Sequence, residues 1–192
     1  MTNFSQMSLE IIVAGGNAAI WIGLLIVRIV SPYYFIEDFA IENLSASLSI
    51  ANVVIGAVLI YTIGWIINFS SETLLDPIFQ TRHRKGVFND EDFYRVRTIV
   101  FQYGSTSIIN DINFDRHILK VTKNNVVNFF LFTLVCTSFI NISVVFGVVG
   151  MIVGLFASFL SFFHWKSRYT TVFLKIRDAY DALLLTKPEL KG

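Results

Sequence analysis

Apolar residues fall in four long blocks along this chain, with the charges gathered between them. Ile11–Val27 is seventeen uncharged residues, running on past Arg28 to Val30 before Ser31-Pro32. Leu44–Phe69 is a second uncharged run. Val126–Ile140 and Ile142–His164 form a third and a fourth, parted only by Asn141. The hydrocarbon core of a bilayer takes about 20 apolar residues per helix. The blocks therefore predict an all-α, integral membrane protein with four transmembrane helices, the last two joined as a tight hairpin. The third block reaches the required length only if its helix begins upstream of Lys123.

The fourth block has a finer pattern. Ser143, Gly147, Gly150, Gly154, Ser158 and Ser161 are spaced 4, 3, 4, 4 and 3 apart, which is one stripe down a 3.6-residue helix. Apart from Ala157, the other residues of Val144–Phe163 are large and apolar. One smooth side on such a helix predicts close contact with another helix, the other faces meeting lipid.

The polar stretches predict shorter elements. Asp90-Glu91-Asp92 reads as a helix start, with acids at the positive dipole end. That helix would run to about Tyr103, setting Phe93, Val96, Val100 and Tyr103 on one side, until Gly104-Ser105-Thr106-Ser107 breaks it. Asp115 is expected to cap a helix that continues through Arg116, Lys120 and Lys123 into the third block. The tail is amphipathic, with Tyr169, Val172, Phe173, Ile176, Tyr180, Leu183 and Leu184 on one face. It either packs on the middle helix and its symmetry mates or lies on the membrane surface. The expected division is 1–70 for transmembrane helices 1 and 2, and 71–124 for a helical cytoplasmic insert. Transmembrane helices 3 and 4 take 125–165, and 166–192 is a cytoplasmic tail.

Composition agrees with a membrane protein. Of 192 residues 54% are hydrophobic and 15% charged, against about 25% charged in a typical soluble domain; mean hydropathy is +0.62. Lys and Arg set the orientation. Ser31–Asn43 has none, whereas the segment between blocks two and three carries eight and the tail six more. Both termini and the middle segment are therefore expected in the cytoplasm of a bacterial inner membrane. The first ten residues lack the basic start of a signal peptide, so the first block is expected to be retained.

Several polar residues bear on function. Arg28, near the outer end of span one, either serves as an anchor, snorkelling to the headgroups or pairing with Glu37, Asp38 or Glu42, or attracts anions to an outer vestibule. Asn17 and Asn52 are amides deep in apolar sequence, beside the small residues Gly16, Ala19 and Gly23, and Ser45, Ser49 and Gly56. Such amides join helices or, ringed about a symmetry axis, wet a pore. No carboxylate lies mid-span, which argues against a proton-coupled exporter of the small multidrug type. Arg82, Arg84 and Lys85 form the densest basic cluster, read as the inside signal with lipid contact or as a site for a phosphate-bearing ligand. Arg116, Lys120 and Lys123 share one helix face and extend that site. Seven acids leave the middle segment at +1, so no long nucleic acid is expected. The single cysteine, Cys136, and three scattered histidines give no disulfide or metal spacing. With no catalytic motif present, no enzyme activity and no cofactor are expected.

Gly64-Trp65-Ile66-Ile67-Asn68-Phe69-Ser70-Ser71-Glu72 and Arg116-His117-Ile118-Leu119-Lys120-Val121-Thr122-Lys123-Asn124-Asn125 give the chain a resemblance. It resembles small four-span bacterial membrane proteins of anti-phage defence systems, the membrane components of Hailong and Kiwa. The resemblance implies a homo-oligomer, a tetramer in the first instance. It implies either a channel governed by a nucleotide-type signal or a membrane sensor docking a soluble DNA-binding partner. The expected activity is ion conduction or depolarisation on a cytoplasmic cue. The alternative is a non-conducting anchor and sensor that recruits a soluble partner, and a third class is an accessory subunit of a larger complex.

Overall fold

The computed structural model describes residues 2–30, 50–88 and 92–191, with side chains over 9–29, 54–77, 86–88 and 92–190. Ser45, Ser49 and the acids Glu37, Asp38 and Glu42 lie outside the described residues, as do the side chains of Asn52, Arg82, His83, Arg84 and Lys85. Among the described residues five helices follow in order: α1 (Thr2–Val30), α2 (Ile50–Phe88), α3 (Phe93–Tyr103), α4 (Thr106–Thr137) and α5 (Val144–Thr186). A 3-10 turn, Pro188–Lys191, closes the chain. Among the described residues there is no strand.

Among the described residues three helices are long and apolar enough to cross a membrane, α1 through Leu9–Ile29, α2 through Val54–Pro77, and α5. Their outward faces carry large apolar side chains in rows, including Ile12, Ile20 and Ile26 on α1, and Val58, Leu59 and Phe69 on α2. Only 11% of the most apolar window of α5 is buried. A soluble fold does not leave a belt of this size uncovered, whereas lipid solvates it at no cost. The block at 126–140 forms the end of α4 and the turn after it.

The membrane blocks and the polar stretches are not separate bodies. α2 runs on from its apolar block to Phe88, through Pro77. α5 is 43 residues long, about 64 Å at 1.5 Å per residue, and the tail expected as a separate element is its second half. Asp92 caps α3, accepting from the Tyr94 amide at 2.9 Å. Gly104 closes the helix by donating its N–H to the Val100 carbonyl. Ser105 caps α4. Asp115 is thus no cap but lies ten residues inside α4, because Gly104-Ser105 interrupts the backbone only briefly and the helix restarts at once.

Pairings along the helices fix their directions. Glu10, Asn17 and Arg28 of α1 meet His117 and Asn125 of α4 and then Ser138 just past its end, in the same order, so α1 and α4 are parallel. α2 is antiparallel to both: Gly64 sits against Ile11 and Gly15 of α1, and Ser71 and Asp76 meet Asn124 and Lys123 of α4. α5 folds back along α4, which is the most extensive helix pairing in the protein.

Two close approaches set this packing. A Cβ on Gly15 would overlap the carbonyl of Ile60, and one on Gly64 would overlap the carbonyl of Ile11. Backbone touches backbone there, with Ala14 and Ala18 buried alongside. The glycines singled out beside Asn17 and Asn52 are not at this seam: a Cβ on Gly16, Gly23 or Gly56 meets nothing within 4 Å. On α5, Gly147 lies against Ile140, Gly150 against Cys136, and Gly154 against Thr133 and Phe132. Ser158 continues the line by donating to the Val126 carbonyl at 3.1 Å. Ser143 caps α5, and Ser161 is half-buried. The smooth side of α5 is therefore spent on α4 of the same chain.

At the polar end the helices gather a conventional core. Trp165, Tyr169, Val172, Phe173, Ile176 and Tyr180 of α5 pack on Val96 and Val100 of α3, Ile112 of α4 and Phe88 of α2. Phe173 meets Phe88, Phe93 and Tyr169 edge to face. The amphipathic face of the tail is covered by protein.

Candidate functional site

Between the apolar belt and this core lies a layer of buried polar groups, nearly all paired across helices. Asn128, 2% exposed, donates to the Ala14 carbonyl at 2.9 Å and accepts from the Trp21 indole at 3.2 Å. Asn17 donates to Asn125 at 2.8 Å. Asn124 is fully buried, donating to Asn68 at 3.1 Å and accepting from Ser71. Asn17 therefore serves as a joint between helices. Arg28 donates to the Ser138 carbonyl at 3.0 Å, tying the far end of α1 to the turn after α4.

Charges follow the same rule. Lys123, 3% exposed, donates to both carboxylate oxygens of Asp76 at 3.1 Å, with Glu72 at 4.0 Å. A buried ammonium must be matched in this way, since its desolvation is otherwise prohibitive. Asp115, also 3% exposed, takes Arg168 at 3.1 Å on one oxygen and the Lys175 ammonium on the other. Glu10, 4% exposed near the start of the α1 apolar block, is held by His117 and by Lys120, the latter at 3.6 Å. The helical stripe Arg116, Lys120 and Lys123 thus divides by role. Lys123 is consumed by α2, Lys120 leans on α1, and Arg116 remains.

Arg116 and Arg97 lack such a pairing. Among the described residues neither has a carboxylate partner; Arg97 lies over the Phe101 ring at 5.6 Å. Both arginines, with Lys120, line a cavity of about 280 Å³ and a second of about 430 Å³. The first reaches the aromatic core at Phe93 and Tyr169 and ends at the Asp76–Lys123 pair. The second is bordered by Asn113 and His117, and among the described residues no acidic side chain lines it. Burial, and then the neighbouring Arg97 charge, pull the Arg116 guanidinium below its ordinary pKa, Glu10 opposing them weakly. Two like charges therefore line the same cleft.

The sequence picked out Arg116 and Lys120 but not Arg97 or Glu10. Glu10 did carry a signal, as the only charged residue before Arg28, placed at the edge of an apolar block. Arg97 lies beside the buried positions Val96 and Val100, and only the fold shows that α3 turns it toward α4. Among the described residues no cluster of His, Cys, Asp and Glu could hold a metal ion.

No family model matches the chain, and no curated protein and no solved structure is detectably similar to it.

Proposed function

We propose that this is a multi-pass inner-membrane effector with four spans and both termini in the cytoplasm. In this reading it self-associates, as a tetramer in the simplest case, and passes ions when an anionic ligand acts on its charged end. The antiparallel pairing of α4 with α5 supports the fourth span. Gly147 meets Ile140 and Ser158 meets Val126, so residues 126–140 lie at the depth of the apolar half of α5. The gathering of Lys and Arg at the polar end supports the orientation.

One observation carries the ligand response: Glu10 of α1 is held by His117 and Lys120, which border the same cleft as Arg116. An anion in the cleft and the carboxylate of α1 draw on the same cations. Occupancy would weaken the hold on α1 and bias the bundle by differential affinity for its two arrangements. Anti-phage defence, implied by the resemblance, is one setting for such a device.

Ion flux from liposomes holding the purified protein tests this reading. Glu10→Gln releases α1 without a ligand and is expected to raise flux above that of the wild type. Silence in both would contradict conduction and leave the second reading, a sensor that recruits a soluble partner. That second reading is favoured by one observation: Asn17 and Arg28 are already engaged within the protomer.

A further inference from the structure

We infer that the cleft between α3 and α4 is a phosphate-monoester site, with Arg97 and Arg116 as the binding fork and Lys120 at its edge. The inference deepens the ligand-response reading above and rests on it for its consequence, though not for its geometry. Charge counting sets the ligand class. Arg97, Arg116 and Lys120 bring three positive charges, and Glu10 removes one through its contact with Lys120. Two positive charges are left. A phosphate monoester carries between −1.5 and −2 near neutral pH, roughly the matching charge. A carboxylate would leave one guanidinium uncompensated.

Geometry points the same way. Paired guanidiniums present planar donor forks that match phosphate oxygens two at a time. Among the described residues the wall of the larger cavity holds no acid. In the smaller one Lys123 bonds both Asp76 oxygens and Glu72 is left as an extra negative charge, so the phosphate is assigned to the larger cavity. Half-burial of Arg116 thins the water around its charge and strengthens the attraction for an anion that reaches it. The two cavities, of about 280 and 430 Å³, admit the phosphate with a modest organic group attached.

The phosphate has two sources, the headgroup of a phosphomonoester lipid or a soluble compound, since the cleft lies just beyond the apolar ends of α1 and α4. Calorimetry on the full chain in nanodiscs separates them. Inorganic phosphate is titrated into phosphatidylcholine discs. In parallel, retention of phosphatidic acid from mixed discs is measured by native mass spectrometry. Binding in the first arm assigns a soluble source, and retention in the second a lipid source; either supports the site. The double variant Arg97→Gln/Arg116→Gln is expected to weaken binding about a hundredfold, roughly tenfold for each lost charged donor pair. Arg97→Lys/Arg116→Lys keeps the charge and is expected to lose less. Binding in neither arm, or equal binding by the folded Gln variant, overturns the site. Liposome flux is not read here, so that result leaves the channel reading to its own test.

Discussion

The Gly15–Gly64 crossing offers a sharp test, because the same helix supplies its own control. Gly15→Ala puts a methyl group onto the Ile60 carbonyl, a backbone atom that cannot rotate aside. Overpacking costs about 1–3 kcal/mol, and backbone contact places this case near the upper end. Alanine returns about 1 kcal/mol of helix propensity. The net loss is about 2 kcal/mol, a roughly thirtyfold shift toward the unfolded state. At Gly16 the added methyl meets nothing, so only the propensity gain remains and the variant is expected to be neutral or stabilised by up to about 1 kcal/mol. Neighbouring alanines should therefore differ by about 3 kcal/mol. Gly64→Ala should behave like Gly15→Ala. Because the two glycines touch, the double variant should cost less than the sum. Reversible unfolding in mixed micelles, followed by circular dichroism, reads all four proteins. Equal stability of Gly15→Ala and Gly16→Ala would refute the crossing.

Other consequences follow from the paired charges and amides. Lys123→Ala strands the half-buried Asp76 carboxylate and is expected to cost about 3 kcal/mol in the same unfolding assay, whereas Arg116→Ala should leave stability within about 0.5 kcal/mol. Arg168→Ala leaves Asp115 with Lys175 alone. Since Arg168 is 37% exposed, its loss should cost only about 1 kcal/mol after solvent screening, visible as a modestly lower melting temperature. Asn128→Leu removes two interhelical hydrogen bonds, each about 0.6 kcal/mol in a membrane. It is expected to lower stability by about 1 kcal/mol and to blue-shift Trp21 fluorescence.

Much of the fold could be read from periodicity alone, because burial against lipid or protein leaves a direct mark on residue type. The smooth line from Gly147 to Ser158 and the apolar face from Tyr169 to Tyr180 are such marks. The line does not say which helix it meets, and here the preceding helix of the same chain takes it. The Gly15–Gly64 seam was hidden for a related reason: α1 carries Gly15, Gly16 and Gly23, and only the partner helix selects among them. Asp115 was misplaced because an acid after a broken stretch has the chemistry of a cap, and its true partners lie 53 and 60 residues away. The candidate site was the least legible part. Its cations are told apart by what neutralises them, and those contacts join residues such as Glu10 and His117, 107 positions apart. Lys123 and Arg116 look equivalent on a helical wheel, yet one is internal and the other faces a cleft.

In the four-span arrangement one side of the membrane holds the charged ends of α1, α2, α4 and α5. Impermeant maleimide labelling of single cysteines, with Cys136 replaced by Ser, measures this directly. Asn141→Cys, in the exposed turn before α5, should react from outside intact spheroplasts. Ser107→Cys and Glu189→Cys, both exposed at the polar end, should react only in inverted vesicles. Labelling of positions 107 and 141 from the same side would contradict the four-span arrangement and the cytoplasmic placement of the arginine cleft.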